Sequence, residues 1–168
     1  MEQNTSGIKS HSKGITIPPD AWRVHWQGHR RLTRRMIELY PDEQFFNYSL
    51  AGMRPFSGLV MEMIRLSAWG MRGINTGDWT LTGDLQKYTE AFTPSTKADV
   101  LKLWDEVTQQ IDRLWPEDFQ QVHLAFGQYE SPVYGIILYW IDNEIHHRGQ
   151  AYVYMRSLGI EPPPFWER

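Results

Sequence analysis

The segment Asn143-Glu144-Ile145-His146-His147-Arg148-Gly149-Gln150 lies late in a long apolar stretch that follows Ser131-Pro132. It places two histidines, a carboxylate and an arginine within about two helical turns. Asn143 and His147 are four positions apart, so on a helix they share a face. His146 lies about 100° further round, so the adjacent histidines cannot serve one ion. The segment indicates a metal or small-ligand pocket in a helix bundle, although Asn143 stands where a strong metal site would have histidine.

Three earlier segments also repeat apolar residues with the 3.6-residue period of a helix. Pro in a first turn, a Ser or Thr cap and a closing Gly mark the ends of these patterns. The predicted helices run from Pro18-Pro19-Asp20 to Pro41-Asp42, from 53–57 to 73–77, from Thr93-Pro94 to Trp115-Pro116, and from Ser131-Pro132 to Leu158.

The remaining segments are connections. Residues 77–92 are expected to cross the bundle, and residues 119–130 form either a short hairpin or a loop. Residues 1–18 are interpreted as a flexible N-terminal arm, which leaves residues 19–168 as one domain. The predicted fold class is all-α, a four-helix bundle with long crossover connections.

Composition argues against several classes of protein. A net charge of -3 and a pI of 6.1 leave no basic excess for phosphate backbones, so nucleic acid is not an expected partner. The absence of Cys excludes disulfides and thiolate–zinc sites. No apolar run reaches the roughly 18 residues of a membrane span, and no signal peptide is evident, so we expect a cytoplasmic protein. The basic cluster is interpreted as a solvated helix face; it comprises Arg30, Arg31, Arg34 and Arg35.

Three candidate groups each have a structural alternative. His147 is either a ligand or a core histidine bound to a neighbour. His25 and His29 are spaced to chelate a metal, but equally suit surface and packing roles. Glu62, among apolar neighbours, either faces water at a helix edge or points into a pocket, where it needs a cation or a proton. Glu144 and His147 match a Glu-x-x-His element, but no second element exists for a di-iron site.

The string His146-His147-Arg148-Gly149-Gln150, continued to Gly159, resembles the DinB/YfiT-like family of damage-inducible proteins. The run Met53-Arg54-Pro55-Phe56-Ser57-Gly58-Leu59 looks like the start of the second helix of that family, and Asp78-Trp79 fits the segment after it. The resemblance covers roughly residues 20–165.

The resemblance implies a bundle that is often a homodimer and that binds zinc, nickel or another divalent ion, such as manganese, through three histidines. Some relatives act on small molecules with a thiol such as bacillithiol, mycothiol or glutathione. Position by position, the three ligands fall on Glu62, Asn143 and His147, so only the last histidine is retained. Glu and Asn both offer oxygen to a hard cation. A divalent metal site at these three positions is therefore still predicted.

Two functions are therefore expected as alternatives. In the first, Glu62, Asn143 and His147 bind a divalent ion that activates water or a thiol substrate, with His146 or a histidine of the first helix as the nearby acid or base. In the second, the protein is a non-catalytic dimeric binding or stress-response protein whose site has lost the metal. In that case Glu62 and Asn143 close a polar network around His147.

Overall fold

The computed structural model describes residues 17–89, 92 and 94–168. Most of the predicted N-terminal arm lies outside these ranges. Within the part of the chain that the structure describes, none of the helices combines the length and hydropathy that a membrane span requires. The elements are α1 (Pro19–Leu39), α2 (Asp42–Asn47), α3 (Phe56–Thr76), a 3-10 helix (Gly83–Tyr88), α4 (Lys97–Arg113), strands β1 (Val122–Ala125) and β2 (Tyr129–Pro132), and α5 (Val133–Ser157).

The ends of α1 and α3 agree with the sequence signals. Pro19 occupies the first turn of α1, and α3 ends at Gly77, whose φ of 71° is readily adopted by glycine. The start of α4 differs from the prediction at Thr93-Pro94. Thr93 lies outside the described residues, and the helix begins three residues after Pro94, where the Thr96 hydroxyl accepts a hydrogen bond from the Asp99 backbone N–H.

The predicted cap of α5 is also wrong. Ser131 and Pro132 are the last residues of β2, and Pro132 occupies the N-cap position without a side-chain hydrogen bond. The strand β2 pairs with β1 in antiparallel register, so residues 119–130 contain the hairpin rather than a plain loop. Pairing in the hairpin competes with capping for the same residues.

Each long helix packs on two others. α1 and α3 each contact both α4 and α5, which places α1 and α3 diagonally across the bundle. The chain therefore crosses the bundle between α1 and α3 and again, through the hairpin, between α4 and α5. The connection 77–92 joins neighbours instead of crossing, because α3 and α4 contact each other directly. These contacts confirm the all-α bundle and correct the predicted position of one crossover.

Tryptophans fill one end of the core. Trp26 of α1 stacks on Trp140 of α5 with ring centroids 5.8 Å apart, and both side chains are buried. The Trp140 indole occupies the space where Gly70 of α3 lacks a side chain, and a Cβ built there would lie 1.8 Å from Trp140 Cζ2. A glycine at this position lets α3 and α5 approach closely.

Candidate functional site

The three predicted ligands converge at the contact between α3 and α5. Asn143 Nδ2 donates to Glu62 Oε1 at 3.1 Å, and His147 Nε2 lies 2.9 Å from the same oxygen. Both α5 residues face α3 because their four-residue spacing returns them to one side of the helix. The Glu62 side chain is 25% exposed, so it points into the contact and retains access to solvent.

A fourth residue, Arg54, completes the polar contacts of Glu62. Its Nη2 lies 2.5 Å from Glu62 Oε2, and its side chain is 55% exposed. Burial raises the pKa of the Glu62 carboxyl, but hydrogen bonds from His147, Asn143 and Arg54 outweigh this effect and hold the pKa at about 2. Glu62 is therefore a carboxylate at neutral pH, and only Oε1 faces the other two candidates.

Gln150 orients the imidazole of His147. Its Oε1 lies 2.8 Å from His147 Nδ1, while its amide nitrogen lies 3.7 Å from the sulfur of Met53. An amide oxygen can only accept, so the Nδ1 proton points at Gln150. In that orientation the lone pair of Nε2 faces the Glu62 carboxylate, whereas a Gln150 amide turned about its axis donates to Nδ1 and leaves Nε2–H to donate to Glu62. The 2.9 Å contact is thus satisfied either by a ring proton on Nε2 or by a metal ion that both atoms bind.

The donor set fits a divalent ion of intermediate hardness. It offers a carboxylate oxygen, an imidazole nitrogen held from behind by Gln150, and an amide that can turn its oxygen inward. Arg54 limits Glu62 to one coordinating oxygen, and three protein donors leave positions open for exogenous ligands. No group of three His, Cys, Asp or Glu side chains within the described residues could hold a metal, so the set depends on the amide of Asn143.

Of the histidines expected to act as nearby acid or base, His146 lies beside His147, whereas those of α1 lie elsewhere. His146 is exposed, and its ring centroid is 5.0 Å from that of His147. His29 of α1 contacts His25 and Arg148 rather than Glu62. The structure therefore brings together Glu62, Asn143 and His147 but places no histidine of α1 in their network.

A second polar cluster, missed from the sequence, lies buried between α1 and α5. Glu144 accepts hydrogen bonds from Thr33 Oγ1 at 2.7 Å and from Trp26 Nε1 at 3.2 Å. Two guanidiniums flank its carboxylate, with Arg148 Nη1 at 3.7 Å and Arg30 Nη1 at 3.8 Å. All five side chains are buried. We call this set the buried cluster.

Arg30 departs from the predicted solvated face. Its side chain is fully buried, its guanidinium lies 3.3 Å from the centroid of Trp104, and it donates to Thr108 Oγ1 at 3.0 Å. Burial lowers its pKa to about 10, against the opposing effect of Glu144, so it remains charged at neutral pH. The signal was available, because Trp26, Arg30, Thr33 and Ile37 share the apolar stripe of α1.

The His25–His29 pair is a hydrogen-bonded pair rather than a chelate. Arg148 Nη2 lies 2.8 Å from His29 Nδ1, and a guanidinium can only donate. His29 Nε2 lies 3.1 Å from both His25 Nε2 and Arg168 Nη1, so guanidinium donors face both ring nitrogens of His29. Burial, Arg148, His25 and Arg168 together lower the pKa of His29 to about 3, which keeps the ring neutral. With a guanidinium at each ring nitrogen, neither nitrogen of His29 is open to a metal ion.

The chain is similar to known proteins in both sequence and fold. The sequence model of the DinB family matches residues 21–168. A DinB-like protein from Bacillus cereus superposes with a TM-score of 0.65 at 19% identity, over 86% of this chain and 95% of the other. A DinB-like protein from Bacillus subtilis gives 0.67 at 16% identity, over 88% and 99%.

One similar structure carries a named activity. It is a mutant of a mycothiol-dependent maleylpyruvate isomerase, with a TM-score of 0.60 at 15% identity, over 80% of this chain and 61% of that one. Likeness at this identity is a likeness of fold. No curated protein sequence matches the chain significantly.

Proposed function

Because the chain belongs to the DinB family, we propose that it is a divalent-cation-binding member that acts on a small molecule, with Glu62, Asn143 and His147 as the ligands. The observation that carries the proposal is the 2.9 Å contact between His147 Nε2 and Glu62 Oε1. With the Gln150 oxygen at Nδ1, the lone pair of Nε2 faces the carboxylate, and a divalent cation bound by both atoms would satisfy them.

Neighbouring residues orient the proposed ligands at this site. Gln150 fixes the ring orientation of His147, and Arg54 fixes Glu62 while leaving Oε1 for the ion. Asn143 contributes a neutral donor, so the three side chains supply a single negative charge. A bound divalent ion lowers the pKa of a coordinated water or thiol and so supplies a nucleophile near neutral pH. Three protein ligands leave a coordination position open, as in catalytic rather than closed structural sites.

Metal analysis of tag-free protein tests the proposal. We expect a bound ion by mass spectrometry, or a rise in melting temperature with zinc, nickel or manganese. A ligand at one hundred times its Kd stabilises by about 2.7 kcal/mol, which is roughly 5–11 °C for a chain of this size. Glu62→Ala should abolish the effect, and His146→Ala, which removes an exposed neighbouring histidine, should retain it. Absence of both bound ion and thermal shift would refute the proposal.

A gain-of-function variant sharpens the test. Asn143→His places a second imidazole one helical turn before His147, on the same face of α5. Since imidazole binds zinc better than an amide oxygen does, we expect zinc affinity to rise by about tenfold or more. An unchanged affinity would show that the three positions do not surround an ion.

The second candidate function is a metal-free binding protein, and the contact of Arg54 with Glu62 favours it. Arg54 on one carboxylate oxygen, and Asn143 with the Nε2–H of His147 on the other, would satisfy Glu62 without metal. Under this alternative Glu62→Ala changes stability, and added metals have no effect on either protein. The two candidates thus differ in the metal response of wild type rather than in the behaviour of the variant.

Thiol chemistry is an extension of the first candidate. The activity of the isomerase with a similar fold suggests the substrate class to test. Calorimetric titration of metal-loaded protein with glutathione, bacillithiol and mycothiol should show binding that disappears when the metal is removed. Binding that persists without metal would place the thiol elsewhere.

The cellular setting is also part of the proposal. We propose a cytoplasmic homodimer, supported by exposed apolar side chains on α5 such as Tyr139 and Val153. Sedimentation equilibrium should give twice the chain mass, and a monomer at high concentration would refute the dimer.

A further inference from the structure

The outward side of α5 carries a line of residues whose spacing is symmetric about Gly149. The apolar residues Ile145 and Val153 lie four positions away on either side, and the charged residues Asp142 and Arg156 lie seven positions away. All five residues are exposed. At roughly 100° per residue, all five fall within about 40° of the direction of Gly149. We call them the α5 stripe.

The α5 stripe is complementary to a second copy of itself that runs in the opposite direction. With Gly149 of both copies at a twofold axis, Ile145 of one copy lies level with Val153 of the other, and Asp142 lies level with Arg156. Each pair then occurs twice, as a twofold interface requires. A parallel pair of helices would instead set Asp142 beside Asp142 and Arg156 beside Arg156, and contact between like charges is unfavourable. The charges therefore select the antiparallel arrangement.

Gly149 gives the centre of the stripe room for close approach. A Cβ built on Gly149 meets no atom within 4 Å, and its φ is not in the left-handed region. Glycine destabilises a helix interior relative to alanine, and no contact in the described part of the chain requires it here. Helices that cross at a small residue can pack roughly 8 Å apart, the short end of the usual range. Packing against another molecule is thus the role left for this glycine.

Asp142 is the unpaired charge of the stripe. Within the described residues it has no ion pair or hydrogen bond, whereas Arg156 lies 3.4 Å from Glu161. That exposed pair involves only Nη2 of Arg156, and a guanidinium has five N–H donors. Arg156 can therefore retain Glu161 of its own chain and also bind Asp142 of the second copy. Pairs this exposed add little affinity, so they determine the register of the two helices.

Apolar surface beside the stripe supplies the affinity. A groove of about 460 Å³ runs between α5 and the segment 161–166, and Ile145 and Gly149 line it. Phe165 and Trp166 line the same groove and are 64% and 68% exposed. Aromatic side chains bury about 150–250 Å² each, a large share of the roughly 800 Å² that a stable interface buries on each partner. A second copy seated on the stripe would cover this groove as well.

We propose that two copies of the chain associate through the α5 stripe, with their α5 helices antiparallel and crossing at Gly149, and with Phe165 and Trp166 of each copy packed against the other. This interface rests on the homodimer proposed above and gives it a location. Asn143 and His147 lie on the side of α5 that faces α3, so the proposed metal site of each copy stays outside the interface.

Charge reversal tests the antiparallel register. Asp142→Arg sets two guanidiniums level with each other, and Arg156→Asp sets two carboxylates level with each other. In sedimentation equilibrium at low salt, each single change should raise the Kd of the dimer about tenfold or more. The double variant Asp142→Arg/Arg156→Asp restores opposite charges and should return the Kd to that of wild type. Lys102→Asp reverses an exposed charge on α4 and is the control that should change nothing.

Gly149→Arg tests the crossing point. A residue at the twofold axis meets its own copy, so this variant sets two guanidiniums against each other and should be a monomer. Alanine at this position adds a single methyl group and still fits the roughly 8 Å separation of the helices, so arginine is the sharper change. Trp166→Ala should raise the Kd of the dimer, and urea unfolding should show that both variants are folded.

The possible outcomes separate this interface from the other proposals. A wild-type monomer at high concentration would overturn both the homodimer and its interface. A dimer that Gly149→Arg and the two charge reversals leave intact would overturn the interface alone. Single reversals that weaken the dimer without recovery in the double variant would contradict the antiparallel register. Metal uptake by all of these variants should equal that of wild type, so failure of the metal proposal would leave this test unaffected.

Discussion

The contact between Gly70 and Trp140 allows a quantitative test of the packing between α3 and α5. In Gly70→Ala the new Cβ would lie 1.8 Å from Trp140 Cζ2 and 2.3 Å from Cη2. Trp140 is 2% exposed and stacks on Trp26, so its ring cannot swing into solvent. Overpacking of a core costs about 1–3 kcal/mol. Alanine returns about 1 kcal/mol of helix propensity, so with a clash this close we expect a net loss of about 2 kcal/mol.

Gly149→Ala is the matched control. Gly149 lies inside α5, and a Cβ built there meets nothing within 4 Å, so the same substitution should stabilise by about 0.5–1 kcal/mol. Urea unfolding measures both changes, with an unchanged m-value. In a Trp140→Phe background the cost of Gly70→Ala should shrink, since the smaller ring removes the clashing atoms. A Gly70→Ala protein as stable as wild type would refute the packing argument.

Three further predictions concern the buried cluster and a helix cap. Glu144→Gln leaves Arg30 and Arg148 without their counter-charge, so urea unfolding should show a loss of about 3–5 kcal/mol; a loss below about 1 kcal/mol would contradict the burial of both charges. Unfolded His29 binds a proton below its ordinary pKa of 6.5, but folded His29 does so only near 3. Stability should therefore fall as the pH drops from 6.5 toward 3, by at most about 1.4 kcal/mol per pH unit from this group, and His29→Gln should flatten that slope in pH-dependent unfolding; an unchanged slope would contradict the neutral assignment. Thr96→Ala should cost about 1 kcal/mol in thermal unfolding, Thr96→Ser should restore it, and equal stability of all three would exclude the cap.

Much of the bundle could be predicted because its helix ends are encoded locally. Pro19 and Gly77 act through their own φ angles, so their effect does not depend on distant partners. The start of α5 was misplaced because Ser131 and Pro132 pair in a strand with residues about ten positions earlier. The course of the connection 77–92 depends on which helices are neighbours, and no local signal contains that information.

In the candidate site, too, local patterns were predictable and contacts with distant residues were not. The spacing of Asn143 and His147 predicts a shared face, and the resemblance to a family points to Glu62 as their partner. Arg54 escaped notice because its contact with Glu62 spans eight residues, more than two helical turns. The buried cluster was missed because Arg30 was assigned to a solvated helix face and Glu144 was considered only as part of a Glu-x-x-His element, although each lies on the buried side of its helix. A charge on an apolar stripe is itself a signal that a buried partner exists.

The two polar pairs of α5 also determine how that helix is turned about its own axis. Asn143 and His147 meet the carboxylate of Glu62, and the next residues along, Glu144 and Arg148, meet α1. A rotation by one residue would set Glu144 and Arg148 against Glu62 and leave Arg30 beside Ile145, without its carboxylate. Apolar side chains of similar size would tolerate such a turn at modest cost, whereas these charges penalise it heavily. The polar residues thus restrict α5 to one rotational orientation about its own axis.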